Sequence, residues 1–177
     1  MSYATGQNLL EWYGAKELAQ IATPDDLVMV PAQLLRLTLE GGNRDAFSLE
    51  EKAAADAAQV RISAVLEEAT LLIESYLGRR YSLPIPDSGV QSSPLPRACG
   101  AMARRLLYDD GVPQEVGQRY ELTLGWLRDL ANSQANLGSE ETTQTTVGAG
   151  LADFESSERI FDQSTLQGFT SAEGYKS

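Results

Sequence analysis

Histidine is absent from the 177 residues, cysteine occurs once and lysine only three times. Histidine is the side chain whose charge changes nearest neutral pH, so its absence removes most catalytic triads and most metal sites. A lone Cys99 excludes an internal disulfide and any Cys-rich zinc cluster. Without a histidine to activate it, Cys99 is not expected to act as a nucleophile. Nowhere do 18 apolar residues run uninterrupted, so no membrane-spanning helix is expected. Basic residues are scarce, 14 Lys and Arg against 25 Asp and Glu, for a net charge of −11. Phosphate neutralisation needs basic clusters, which weighs against duplex nucleic acid as an affinity ligand. The opening stretch MSYATGQNLLEWYG has no basic flank and no long apolar run, so no signal peptide is expected there. These absences predict a soluble chain made in the cytoplasm, with no cofactor, no metal and no enzymatic activity.

What is present is a core. Hydrophobic residues make up 42% of the chain, close to a globular average, and the length suits one domain plus extensions. The charge is unevenly placed. Residues 1–58 hold nine acids and four bases, residues 59–138 nine acids and eight bases, and residues 139–177 seven acids and two bases. A nearly balanced middle is thus flanked by two acidic stretches.

Periodicity predicts an all-α fold, a small helical bundle around one long helix. Thr5 caps a short helix over Gly6–Trp12, Gly14 breaks it, and Ala15–Ile21 forms a second. Thr23-Pro24-Asp25-Asp26 reads as a helix start, with proline where a missing N–H costs least, leading into Leu34, Leu35 and Leu37. Gly41-Gly42-Asn43 stops that helix. Ser48 and Glu51 form a capping box ahead of a helical pattern running to Leu77, about 45 Å long at 1.5 Å per residue. Its stripe is Ile62, Val65, Ala69, Leu72, Ile73 and Tyr76. Gly78 fits a left-handed C-terminal cap. Pro84, Pro86, Pro94 and Pro96 bracket a rigid loop with Asp87-Ser88-Gly89 at its tip. Two helices follow, Arg97–Asp109 with Cys99, Met102, Ala103, Leu106 and Leu107 inward, and one from Val112-Pro113 to Asn132. The last buries Val116, Tyr120, Thr123, Leu124, Leu127 and Leu130. Residues 1–137 form the helical domain. Residues 138–150, polar and rich in Thr and Gly, read as a linker. In 151–177, Phe154, Ile160, Phe161, Leu166 and Phe169 interrupt a polar stretch, the pattern of a docking tail.

Few residues point to chemistry. The pairs Asp25-Asp26, Glu67-Glu68, Asp109-Asp110 and Glu140-Glu141 diverge by about 100° on a helix and do not converge on one ligand. Gly41-Gly42 and Gly148-Ala149-Gly150 match no phosphate-binding motif. Arginine is more informative, with eleven of the fourteen bases. Arg79, Arg80, Arg97, Arg104, Arg105 and Arg119 cluster in the central block. Arginine forms planar bidentate ion pairs. These residues either make ordinary salt bridges to Glu67, Glu74 or Glu121, or supply intersubunit pairs, with Arg79, Arg80, Arg97, Arg104 and Arg105 as the interface set. Aromatics interleaved with bases, as single-stranded nucleic acid requires, are not evident in the linear order.

Four segments in order carry a family resemblance. Tyr3-Ala4-Thr5 with Leu9, Gly14, Glu17 and Leu18 resembles the opening of the Mu-like prophage head-to-tail connector (adaptor) family of tailed bacteriophages. Ile73-Glu74-Ser75-Tyr76-Leu77 followed by Arg80-Tyr81-Ser82-Leu83-Pro84 resembles that family's helix end. Ala103 to Asp109 with Arg119-Tyr120 and Trp126-Leu127 is similar to its paired C-terminal helices, and Arg159-Ile160-Phe161 through Leu166-Gln167-Gly168-Phe169 to its tail motif. Residues 24–58 diverge from the family pattern. The resemblance implies a non-catalytic ring, a dodecamer, that binds the portal protein on one side and a tail-side completion or neck protein on the other. DNA would pass through its lumen without specific binding, in the neck of the virion. It also implies that Phe154, Arg159, Ile160, Phe161, Leu166 and Phe169 form the portal-docking tail. Two other readings stay open. One is a helical protein–protein adaptor or regulatory module acting as a monomer or dimer. The other is a DNA-packaging factor using the short helices around Gly14.

Overall fold

A computed structural model describes residues 2–137 of the chain. These residues form seven helices and no strand: α1 (Gly6–Tyr13), α2 (Ala15–Ala22), α3 (Ala32–Glu40), α4 (Leu49–Leu77), α5 (Asp87–Gln91), α6 (Leu95–Leu107) and α7 (Gln114–Ala131). The fold is all-α, built around the one long helix.

That helix starts where its sequence signal lies. The Glu51 backbone N–H donates to Ser48 Oγ at 3.2 Å, and the Ser48 N–H donates to Glu51 Oε2 at 2.8 Å. The reciprocal pair satisfies two donors that the first helical turn leaves without intrahelical partners. Thr5 and Asn8 cap α1 in the same manner. Helix α4 is the axis on which α6, α3, α7 and α2 pack, while α6 pairs with α7 and α2 with α3. Near its start it buries Ala54, Ala55 and Ala58, and further along Ile62, Leu66, Ile73 and Leu77. Leu9 from α1, Leu18 from α2, Leu34 and Leu35 from α3, Leu95, Cys99, Met102 and Leu107 from α6, and Leu127 and Leu130 from α7 join them in the fully buried core. Burying a side chain of this size contributes about 1.5–3 kcal/mol relative to exposure.

Two polar ties hold the ends of the bundle to its axis. The Tyr3 N–H donates to Thr70 Oγ1 at 3.2 Å and the Tyr3 hydroxyl to Glu74 at 3.3 Å, which fastens the N-terminal stretch to α4. Beyond α4, Arg80 donates to the carbonyls of Leu130 at 3.3 Å and Ala135 at 2.6 Å. It thereby places a cation at the C-terminal end of α7, where carbonyls lack helical partners and the helix dipole is negative. The buried Tyr81 hydroxyl accepts the Leu137 N–H at 3.2 Å.

Several local expectations need correction. Thr23-Pro24 does not start a helix. Thr23 Oγ1 donates back to the Ala19 carbonyl at 2.5 Å and accepts the Val30 N–H at 3.4 Å, so it closes α2 instead. Residues 24–31 form a loop, and α3 begins after Pro31. Gly78 is right-handed, φ −59° and ψ −12°, rather than a left-handed cap. A Cβ there would lie 3.3 Å from the Glu74 carbonyl oxygen and 3.4 Å from Leu83 Cδ1, so the position is crowded and glycine relieves it. The proline-bracketed loop contains a helical turn, α5, at its expected tip, and its Leu83–Pro84 bond is cis. Helix α6 starts two residues earlier than predicted because Pro96 is tolerated in the first turn. Leu72, Tyr76, Leu106, Tyr120 and Leu124 are half-buried at the core margin rather than fully inside. The linker and tail fall outside the described residues.

Candidate functional site

Helix α1 ends on two adjacent aromatics, Trp12 and Tyr13, whose rings meet edge-to-face with centroids 6.4 Å apart. Trp12 lies against α6 because residue 100 is glycine: a Cβ there would come within 2.5 Å of Trp12 Cζ3. On the outward side, the Arg97 guanidinium stacks over the Trp12 ring at 4.3 Å from its centroid, and Arg104 over Tyr13 at 4.7 Å. Such pairs contribute about 0.5–1 kcal/mol each at exposed sites. Arginines 85 and 91 positions away from the aromatics in sequence are thus interleaved with them in space, correcting the expectation from linear order.

One carboxylate organises this shelf. Glu17 Oε1, on the first turn of α2, accepts from Arg104 Nε at 2.6 Å and from the Tyr108 hydroxyl at 3.1 Å. Arg104 also lies 4.0 Å from Glu115 on α7. Its partners are therefore Glu17 and Glu115, not Glu67, Glu74 or Glu121. Burial is the largest single influence and works against the Arg104 cation, yet the Glu17 hydrogen bond together with the charges of Glu17 and the neighbouring tyrosines raises the Arg104 pKa. Burial also pushes the Tyr13 phenol up, opposed by the guanidiniums of Arg104, Arg119 and Arg97 around it. Tyr108 is raised by burial and by donating to Glu17. Between these groups opens a cleft of about 300 Å³ lined by Trp12, Tyr13, Glu17, Arg104, Glu115 and Arg119. Arg97 and Arg119 are exposed, and neither meets a carboxylate among the described residues.

A second cleft, of about 250 Å³, is lined by Tyr108, whose hydroxyl reaches Glu17 of the first, and is acidic where the first sets two arginines against two glutamates. Asp25, Asp109 and Asp110 line it with Arg61, which pairs with Asp109 at 2.5 Å. Beside Asp25 the α2–α3 loop exposes three successive apolar side chains, Leu27 at 39%, Val28 at 45% and Met29 at 62%. A third surface lies on α7, where Leu122, 75% exposed, shares a shallow groove with Gly125 and Trp126, rimmed by Glu121 and Asp129.

The arginines singled out in the sequence thus separate. Arg97 and Arg104 meet on the shelf. Arg80 caps α7, Arg105 donates to the Tyr108 carbonyl at 3.4 Å, and Arg79 is exposed beyond α4. Arg119 belongs to the shelf, as do Trp12, Tyr13, Glu17 and Glu115, none of which was placed there from sequence. Cys99 is fully buried, its Sγ 3.6 Å from Thr70 Oγ1, and burial raises its thiol pKa, which leaves it protonated at neutral pH. The tail residues Phe154, Arg159, Ile160, Phe161, Leu166 and Phe169 lie outside the described residues.

Comparison with known proteins adds a lineage to this geometry. A family model described as bacteriophage Mu, Gp36 matches residues 3–156. The chain belongs to the Mu Gp36 family. A curated member, the Mu-like prophage FluMu protein gp36 of Haemophilus influenzae, is 28% identical over 167 residues, 94% of this chain and 97% of that protein. In this chain, the segments that carried the resemblance prove to be mainly architectural. Tyr3 and Thr5 fasten and cap the N-terminus, Ile73 and Leu77 are core, and Arg80 and Tyr81 tie α4 to the end of α7. Glu17 is the exception, since it organises the charged shelf.

Proposed function

We propose that this protein is a structural head-to-tail adaptor of a tailed phage, acting mechanically rather than catalytically. Copies assemble as a ring beneath the portal, extend the DNA channel and present a surface to a tail-side completion or neck protein. The observation that carries the proposal is membership of a Mu phage family across residues 3–156. The geometry supports it. The helical body exposes an acidic cleft, an arginine-bearing aromatic shelf and an apolar groove on α7, surfaces suited to contacts with other subunits. Acids outnumber bases in the chain, which disfavours retention of DNA sliding past. Phe154, Ile160, Phe161, Leu166 and Phe169 supply the apolar contacts of a tail that docks on the portal.

The test is the mass of the full chain with and without the portal protein of the same phage. A ring-sized assembly in the portal's presence is expected. A chain that stays monomeric or dimeric beside the portal would instead be a simple adaptor or regulatory module. Truncation after Leu137 is expected to abolish portal capture in a pull-down, and unchanged capture would remove the tail from the docking surface.

A further inference from the structure

Tyr108 lines the acidic cleft and its hydroxyl reaches Glu17 on the shelf, and among the described residues each of these two surfaces holds charge left unmatched. On the shelf, three guanidiniums (Arg97, Arg104 and Arg119) face two carboxylates, Glu17 and Glu115, both of which turn to Arg104. Arg97 and Arg119 remain without a carboxylate among the described residues, in a chain of net charge −11. In the acidic cleft Asp25, Asp109 and Asp110 share one cation, Arg61, which is committed to Asp109. The loop carrying Asp25 and Asp26 continues directly into exposed Leu27, Val28 and Met29. An acidic pair followed by an apolar run is the chemical complement of guanidiniums set around two aromatic rings.

We propose that the Asp25–Met29 loop of one copy seats on the Trp12–Tyr13–Arg97–Arg119 shelf of a second copy. Asp25 and Asp26 meet Arg97 and Arg119, while Leu27 and Met29 pack on the half-buried edges of the Trp12 and Tyr13 rings that the stacked guanidiniums leave open. Charge complementarity selects the occupant, because the loop supplies both the missing anions and the apolar cover. Desolvating the three loop residues removes an apolar run that the single chain leaves in water. The inference deepens the adaptor reading, on which it rests for self-assembly, by naming the contact between subunits.

The experiment uses two variants of the full chain, Arg119→Cys and Asp26→Cys, with buried Cys99 left in place. Mixed and oxidised, they are expected to give the unlike cross-linked pair in excess of either like pair, and to lose it in high salt. In parallel, the double reversal Arg97→Glu with Arg119→Glu is expected to lower the assembled fraction at least about tenfold, on the scale of opposed charges at an interface. Adding Asp25→Arg with Asp26→Arg to the same chain is expected to restore it. Both reversals fall on exposed side chains, and helical content and thermal midpoint report that the variants stay folded. If rings form yet the unlike cross-link is absent and the reversals change nothing, the contact is elsewhere and only this inference fails. A chain that neither cross-links nor assembles beside the portal at any concentration would overturn the adaptor reading with it. Quenching of tryptophan fluorescence by oligothymidylate, lost in Arg97→Glu with Arg119→Glu and without the cross-link, would make the shelf a single-strand nucleic-acid site and overturn the inference too.

Discussion

Tyr81 shows how much one side chain can decide in this body. Its ring is buried and its hydroxyl accepts the Leu137 N–H at the end of the described bundle. Tyr81→Phe keeps the ring but leaves that buried donor unpaired, with an expected loss of about 1–3 kcal/mol in urea unfolding. Tyrosine ionisation is also expected to weaken the fold at alkaline pH. Tyr3 is pushed far up by burial and then by the charge of Glu74, and Tyr13 and Tyr108 are raised as well. All three favour the neutral phenol when folded. Their contribution is therefore complete below the unfolded tyrosine value, about 10, and is lost as pH rises through the folded values. Titration by tyrosinate absorbance is expected to show a late-ionising group, and stability is expected to fall in step. Of these residues, only Tyr3 and Tyr81 stood out in the sequence, as motif positions. Their partners, Thr70, Glu74 and Leu137, lie 56 to 71 residues away, a separation that no local pattern reports.

At the scale of elements, local chemistry was legible wherever a helix end is satisfied by its own neighbours. Ser48 with Glu51 and Thr5 with the first turn of α1 are such cases, and the long helix lies where its capping box and stripe put it. Ser48→Ala is expected to cost about 1 kcal/mol, measured by thermal or denaturant unfolding. Thr23 was not legible, because the same hydroxyl that can cap a following helix can also close a preceding one. Which it does depends on whether residues 24–31 continue as helix, and packing beyond the loop decides that. Gly100 was passed over for a different reason. Within α6 it reads as a weak point, since glycine in a helix costs about 0.5–1 kcal/mol against alanine. The structure shows what offsets it, the close seat of Trp12. Gly100→Ala is expected to destabilise by about 1–3 kcal/mol through overpacking, and to shift tryptophan emission as the ring is displaced.

For the whole molecule, the distribution of charge matters more than its total. Among the described residues, an arginine-bearing aromatic shelf lies near an acidic, apolar loop. Contacts between copies made through such surfaces weaken with salt, since the Debye length falls from about 10 Å at 0.1 M to about 3 Å at 1 M. Sedimentation across that range, with portal present, is expected to show assembly decreasing while the fold of each copy persists. Among the described residues no helix is long and apolar enough to cross a membrane.

From composition and periodicity alone, the chain is determined to be helical, with one dominant helix and a nearly balanced middle. Those properties depend on neighbours within one or two turns, where side-chain spacing and caps act directly. The tertiary structure alone decided that Arg97 and Arg104 stack on Trp12 and Tyr13, that Glu17 holds Arg104 and Tyr108, and that Arg80 turns inward to cap α7. Each of these pairs closes a span of 50 or more residues, and which arginine meets which partner follows from how the helices pack around α4.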